Sequence, residues 1–284
     1  MSAWLPSAPC TPRHCARTTR KATGVRAVGR LTAGVLAVLA GVLLAPLTAP
    51  LGRAARERAT RLWCRTVIRA FGVRVRVTGG VPGKEPQLVV ANHVSWLDIP
   101  LVAAVLPGRM LAKSEVRHWP LLGPLAARGG TLFLERDRLR SLPGTVRDIA
   151  EALRGGSRVV VFPEGSTWCG RAGGRFRPAA FQAAMDAGAA VRPVRITYRP
   201  TGSAAFVGDD PLTASLWRVA TARGLTAEIR ILPPIPAGRH TDRRALARAA
   251  QTAVASDSAN RPSSSVHQCA SSIPAPASSP RTPS

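Results

Sequence analysis

Along the chain, short continuous apolar runs rich in β-branched residues alternate with stretches of helical period. The apolar runs predict strands over Val73–Thr78, Gln87–Ala91, Thr131–Leu134, Arg158–Phe162, Val191–Tyr198 and Ala227–Leu232. Between them, helical spacing predicts helices over Ile99–Val105, Leu142–Arg154, Pro178–Ala187, Leu212–Ala222 and Asp242–Ala255. Gly155-Gly156 and Gly188 stand where helices stop. Buried strands separated by helices make an α/β domain, a largely parallel sheet flanked by helices on both faces.

The pattern changes before Val73. Between Arg30 and Arg53 no ionisable side chain occurs, and the run Leu31–Gly52 approaches the ~20 residues that cross a bilayer core. It is too long and too far along the chain for the apolar region of a cleaved signal peptide, so a retained anchor is the expectation. Pro46 and Pro50 weaken its second half. From Arg56 to Phe71, Leu62, Trp63, Val67, Ile68 and Phe71 share one helical face, with Arg56, Arg58, Arg61, Arg65 and Arg69 mostly opposite. A helix of this kind lies in lipid headgroups with Trp63 at the interface, or packs its stripe on its own domain; periodicity does not separate the two. With the apolar run before it, the expectation is a membrane-docking two-helix segment over 31–71. A basic leader (1–30) precedes it, the α/β domain (72–255) follows, and a Ser/Pro/Ala tail (256–284) reads as disordered by composition.

The formal charge is +25, from 40 Lys plus Arg against 15 Asp plus Glu. Such an excess suits nucleic acid or an anionic membrane surface, and it also suits an Arg-rich coding bias, since only Lys21, Lys84 and Lys113 are lysines. No helix-turn-helix, aromatic RNA-binding strand or zinc-finger spacing supports nucleic acid. The first acidic residue is Glu57, so the amino-terminal segment carries unopposed positive charge, which favours lipid phosphates. Cys10, Cys15, Cys64, Cys169 and Cys269 are odd in number and scattered, arguing against a disulfide framework and a structural zinc site.

Candidate chemistry falls at strand ends, where open α/β sheets bind ligands. After the second strand comes Asn92-His93-Val94-Ser95-Trp96-Leu97-Asp98. On one continuous helix His93 and Asp98 would point about 140° apart, so they meet only if His93 occupies a turn before the helix. The carboxylate would then fix the imidazole tautomer and leave its other nitrogen as a general base. Asp98 also fits a helix cap in which it only satisfies backbone donors. Three further stretches accompany the pair. Gly130–Arg136 ends a strand in an arginine suited to a phosphate. Phe162-Pro163-Glu164-Gly165-Ser166 ends another in a turn where Gly165 permits close approach to the backbone. Val191-Arg192-Pro193-Val194 sets a proline inside a strand, as at an edge or bulge.

These four stretches, in this order and spacing, resemble the membrane-bound glycerolipid acyltransferases typified by bacterial 1-acylglycerol-3-phosphate acyltransferase. The intervening Ala112-Lys113-Ser114-Glu115-Val116 and Pro120-Leu121-Leu122-Gly123 are similar to that family as well. The resemblance implies that His93 is the catalytic base and Asp98 its partner. It implies that Arg136 binds the acceptor phosphate, that Glu164 and Gly165 shape the acceptor site, and that Pro193 lies near the acyl-donor groove. Lys113, Gly130 and Ser166, within the matching stretches, join the substrate-binding set. It implies acyl-CoA or acyl-acyl-carrier-protein as co-substrate, with no metal and no other cofactor. The chain departs from the pattern after Glu164-Gly165: many phosphatidate-forming members have Thr then Arg, and here Ser166 and Thr167 stand there.

The expected reaction is transfer of a fatty acyl group from a thioester to the free hydroxyl of a lyso-lipid. The expected acceptor is 1-acylglycerol-3-phosphate, giving phosphatidate, with lyso-ornithine lipid or another lysophospholipid as alternatives. The expected location is the cytoplasmic face of the cell membrane. A lipid or thioester hydrolase would use similar parts, yet no G-x-S-x-G elbow occurs. A non-catalytic membrane-surface module would account for the charge alone.

Overall fold

The computed structural model describes residues 8–18, 21–80, 83, 85–135 and 138–259. A seven-stranded mixed sheet forms its centre, ordered β1-β7-β6-β2-β5-β3-β4. The strands are β1 (Arg74–Gly79), β2 (Gln87–Ala91), β3 (Arg109–Lys113), β4 (Leu132–Leu134), β5 (Val159–Val161), β6 (Ala190–Arg199) and β7 (Thr226–Ile231). All neighbours are parallel except β6 and β7. The helices are α1 (Pro12–Cys15), α2 (Gly24–Leu44), α3 (Arg53–Ala70), α4 (Asp98–Val105), α5 (Leu122–Arg128), α6 (Leu142–Arg154), α7 (Ala179–Asp186), α8 (Leu212–Thr221) and α9 (Arg243–Ala259).

The apolar content of β2 follows from its central position. Leu88 and Val90 point into one core, with Ile149, Leu153, Phe181 and Leu246 of α6, α7 and α9. Val89 and Ala91 point into the other, with Ile68, Leu101 and Val219 of α3, α4 and α8. A strand buried on both faces has no polar alternation to show, as its continuous run predicts.

Four regions differ from the sequence expectation. β3 and α5 had no candidate: β3 is only half-buried and bounded by Arg109 and Lys113, and α5 is seven residues long. The amino-terminal apolar helix begins at Gly24 rather than Leu31, and at Pro46 its α-helical bonding gives way to a 3-10 turn over Ala45–Thr48. Of the two readings of the Arg56–Phe71 helix, the stripe packs on the protein itself: Trp63 Nε1–H donates to the Ala37 carbonyl at 2.8 Å, and Val67, Ile68 and Phe71 pack into the domain. Residues 8–18 do not form a leader apart from the domain. Cys10 and Cys15 are buried there with Cys169, a contact made across some 150 residues that local composition does not encode. The tail beyond 259 lies outside the described residues.

Helices α2 and α3 make an antiparallel hairpin on the domain. Gly34 and Gly41 let α2 approach closely: a Cβ would come within 2.5 Å of the Phe71 ring at the first and 2.1 Å of Trp63 Nε1 at the second. Arg30 reaches the Ala220 and Ala222 carbonyls at the end of α8. The opposite face of α2 presents Val25, Val28, Val35, Leu36, Leu43 and Leu44, all exposed. The stretch Gly24–Thr48, 25 residues, is long and apolar enough to cross a membrane by length and composition.

Candidate active site

Parallel pairing delivers three chain ends to one edge of the sheet. Val90 aligns with Val161 of β5 and Ala91 with Val194 of β6, so the segment after β2, the segment after β5 and the end of β6 converge. The chain leaves β2 through α4 for β3, beyond β5, while β6 lies on the other side of β2. This reversal of strand order opens a crevice at the carboxyl ends. Asn92 anchors the turn: its side chain donates to the Ile196 carbonyl at 2.9 Å and accepts the Ile196 N–H at 2.8 Å, extending the β2–β6 pairing by one residue.

His93 stands in the turn and Asp98 is the first residue of α4. Their side chains meet, with Nδ1 of His93 2.8 Å from Asp98 Oδ2. The same oxygen accepts the N–H groups of Val94 at 2.6 Å and Ser95 at 2.8 Å, and the Tyr198 hydroxyl donates to Oδ1 at 2.6 Å. Asp98 thus satisfies backbone donors and orients the imidazole at once. Its side chain is fully buried, and its two oxygens have four hydrogen-bond partners. A carboxylate offers only acceptors, so Nδ1 carries the proton and Nε2 keeps its lone pair. The His93 side chain is 19% exposed, against 0% for Asp98, which leaves the imidazole reachable from the crevice. Phe162 stacks on the ring at 4.2 Å between centroids, 18° from parallel. Burial, then the Asp98 charge and its hydrogen bond, push the Tyr198 hydroxyl well above its usual pKa, so it remains a donor.

Glu164 fixes the turn from behind. Oε2 accepts the His93 backbone N–H at 2.7 Å and Oε1 the Gly174 N–H at 2.9 Å. Burial raises its pKa to about 7 against the pull of these two N–H groups, with the Asp98 charge adding to the rise. A Cβ at Gly173 would lie 3.0 Å from Oε1, so that position keeps room for the carboxylate. Gly165 has φ +73°, and its N–H closes a turn on the Phe162 carbonyl at 3.1 Å; left-handed backbone there accounts for the glycine. The Trp168 N–H donates to the His93 carbonyl at 2.7 Å, so both peptide groups of His93 are held.

The structure brings His93, Asp98, Glu164, Gly165 and Ser166 together. Glu164 spends both oxygens on backbone donors and so positions His93. Lys113 is exposed at the end of β3, level with Leu134, at the same edge but two strands from β2. Arg136 lies outside the described residues. Gly130 does not join the site: it precedes β4 at the opposite edge, with φ +72° and its carbonyl accepting from Arg109 Nε at 2.7 Å. Pro193 does not stand at a sheet edge. It is buried in β6 opposite Val90, and its missing N–H falls in the gap between the β6–β7 ladder and the isolated Val191–Ile235 bridge. Tyr198, Phe162 and Trp168 were missed as members of the site. Tyr198 carried a signal, since it is the only tyrosine, ends an apolar strand, and a buried phenol needs a partner.

A family model described as Acyltransferase matches residues 73–197. The chain is 43% identical over 203 residues to a lyso-ornithine lipid O-acyltransferase of Pseudomonas aeruginosa, covering 70% of this chain and 78% of the relative. It is 35% identical over 198 residues to a 1-acyl-sn-glycerol-3-phosphate acyltransferase of Neisseria meningitidis serogroup B, covering 67% and 77%. The crystal structure of the 1-acyl-sn-glycerophosphate acyltransferase PlsC from Thermotoga maritima superposes with a TM-score of 0.60 at 20% identity, covering 83% of this chain and all of that one, and shares its fold. With its His–Asp pair seated at the carboxyl edge of that fold, the chain belongs to the acyltransferase family and is an acyltransferase.

Proposed function

We propose that the enzyme moves an acyl group from acyl-CoA or acyl-acyl-carrier-protein to the free hydroxyl of a lyso-lipid, with His93 as general base. The observation that carries this reading is the Nδ1–Asp98 contact, which leaves Nε2 as the basic atom in the crevice. As the acceptor hydroxyl loses its proton to Nε2, its oxygen attacks the thioester carbonyl carbon. The C–S bond then breaks, and the departing sulfur takes the proton from the imidazolium, leaving ester and free thiol. No nucleophile from the protein is required. Asp98 stabilises the transient imidazolium, and Arg136 holds the acceptor head group.

The α2–α3 hairpin seats the enzyme on the cytoplasmic face of the membrane. Because α3 and α8 cover one face of α2, the hairpin docks as a unit. The exposed apolar row of α2 enters the acyl region, while Arg53, Arg56, Arg58, Arg65 and Arg69, exposed on α3, meet lipid phosphates. The crevice then opens where a lyso-lipid resides.

The leading acceptor is 1-acylglycerol-3-phosphate. Two observations favour lyso-ornithine lipid as a second reading: the 43% identical relative bears that name, and Ser166-Thr167 replaces the Thr-Arg of many phosphatidate-forming sequences. Purified enzyme in mixed micelles, given radiolabelled acyl-CoA or acyl-carrier-protein and each acceptor, distinguishes them. Label is expected in the diacyl product and absent with His93→Ala. Label recovered only as free fatty acid, or near-normal transfer by His93→Ala, would overturn the reading.

A further inference from the structure

Outside the catalytic pair, three buried cysteines converge. Cys10 and Cys15 come from the amino-terminal segment and Cys169 from the loop after β5, and their sulfur atoms all lie within 4.8 Å of one another. A single helical turn, Pro12–Cys15, folds Cys15 back beside Cys10, and the Cys-x4-Cys spacing is one that zinc sites use. We propose that Cys10, Cys15 and Cys169 bind a zinc ion that fastens the amino-terminal segment to the active-site loop.

Several observations support a cation over simple packing. Tetrahedral Zn–S bonds of about 2.3 Å place sulfurs roughly 3.8 Å apart, within the spread of this cluster. The backbone N–H groups of Arg171 and Ala172 donate to the Cys169 sulfur. Cys10 and Cys15 belong to the core and Ala8 and Ala16 pack against it. The backbone of this segment is closely seated, because a Cβ at Gly202 would lie 2.7 Å from the Cys15 carbonyl oxygen and one at Gly208 3.1 Å from that of Cys10. Binding exchanges three S–H protons, released to solvent, for three Zn–S bonds, and water completes the tetrahedron. The resulting anionic centre lies beside Arg171, whose guanidinium donates to the His14 carbonyl.

The site has a consequence for catalysis. Cys169 follows Trp168, whose N–H holds the His93 carbonyl, and the Phe206 N–H, from the loop beneath Cys10 and Cys15, holds the Val94 carbonyl. A metal at the three sulfurs therefore braces the His93 turn from two sides.

The test is metal content of the full-length, unaltered protein, grown with zinc and dialysed against a weak chelator. Elemental analysis should find stoichiometric zinc, and a mercurial reagent should release it to a colorimetric dye. Cys169→Ser and Cys10→Ser should lose the metal, whereas Cys64→Ala should keep it. Cobalt substituted into the wild-type chain should show a thiolate charge-transfer band and intense tetrahedral visible bands. Wild-type protein without retained zinc and without the cobalt spectrum would overturn the proposal, as would a disulfide between any two of these cysteines found by alkylation and mass analysis. Neither readout depends on acyl transfer, so the metal site and the catalytic reading fail separately.

Discussion

Replacing Asp98 by asparagine separates the two tasks of that side chain. Oδ2 accepts three donors, from His93 Nδ1, Val94 N and Ser95 N, while Oδ1 accepts one, from the Tyr198 hydroxyl. An amide has one acceptor end and one donor end. Its oxygen must occupy the Oδ2 position, because an NH2 group there would face two backbone N–H groups. The NH2 then faces Tyr198, whose hydroxyl rotates to accept. Turn and tautomer survive, and what disappears is the negative charge beside the imidazolium that forms during transfer. Two unit charges about 4 Å apart at an effective permittivity of 20 attract by about 4 kcal/mol. At 1.36 kcal/mol per decade this becomes roughly a thousandfold loss in kcat. The assay follows released CoA thiol, with thermal unfolding and circular dichroism on the same sample. Asp98→Ala serves as contrast: it strands four buried donors at about 1–3 kcal/mol each, and it should unfold the turn rather than merely slow it. A folded Asp98→Asn enzyme within tenfold of wild-type kcat would refute an electrostatic role for the carboxylate.

Three other perturbations have defined outcomes. Because the folded pKa of Glu164 is raised to about 7, its contribution to stability is present in full below the unfolded value near 4.5 and is lost as pH rises through 7. The loss is on the order of 3 kcal/mol. Urea unfolding of wild type and Glu164→Gln across this window should show the difference between them changing by that order, and a difference independent of pH would contradict the assignment. Leu36→Glu with Leu43→Glu, both on the exposed face of α2, should abolish co-sedimentation with anionic vesicles while leaving the melting temperature unchanged; each buried leucine is worth ~1.5–3 kcal/mol. Retained sedimentation would remove α2 as the docking face. Arg136→Ala should raise the acceptor KM roughly 10- to 100-fold, the loss of a charged contact of ~1.5–3 kcal/mol, with a smaller change in kcat; an unchanged acceptor KM would free Arg136 from that role.

The central strands β2 and β5 were legible because they are buried on both faces, and β2 and α6 fall at the limits that their patterns predict. β3 escaped because a half-buried strand near the edge shows neither a continuous apolar run nor strict alternation. The His–Asp pair was legible as spacing, but its meaning depended on His93 preceding the helix, which only the β2 end could supply. Gly130 was drawn toward the site by its place in a motif. Its own chemistry is that of a left-handed turn at the far edge, where Arg109 binds its carbonyl. Tyr198 and Cys10 were hidden for a common reason: their partners, Asp98 and Cys169, are 100 residues or more away, and pairing of that kind comes from topology rather than from local pattern.

The same topology would couple the proposed docking to the proposed chemistry. Gly34 of α2 admits the Phe71 ring, Phe71 packs edge-on against Trp96 at 5.2 Å, and Trp96 lies in the turn between His93 and Asp98. Trp96 Nε1–H in turn donates to Ser215 Oγ on α8, the helix that Arg30 of α2 grips at its end. The hairpin therefore reaches the His93 turn by two routes, one of edge-packed rings and one of hydrogen bonds. Side chains packed at interior density do not slide independently, so the height of His93 above the apolar row of α2 is a built distance rather than an average over a loose tether. For a reaction whose acceptor hydroxyl sits at a fixed depth in a lipid headgroup layer, such a distance supplies part of the orientation that a soluble enzyme must obtain from its substrate-binding pocket alone.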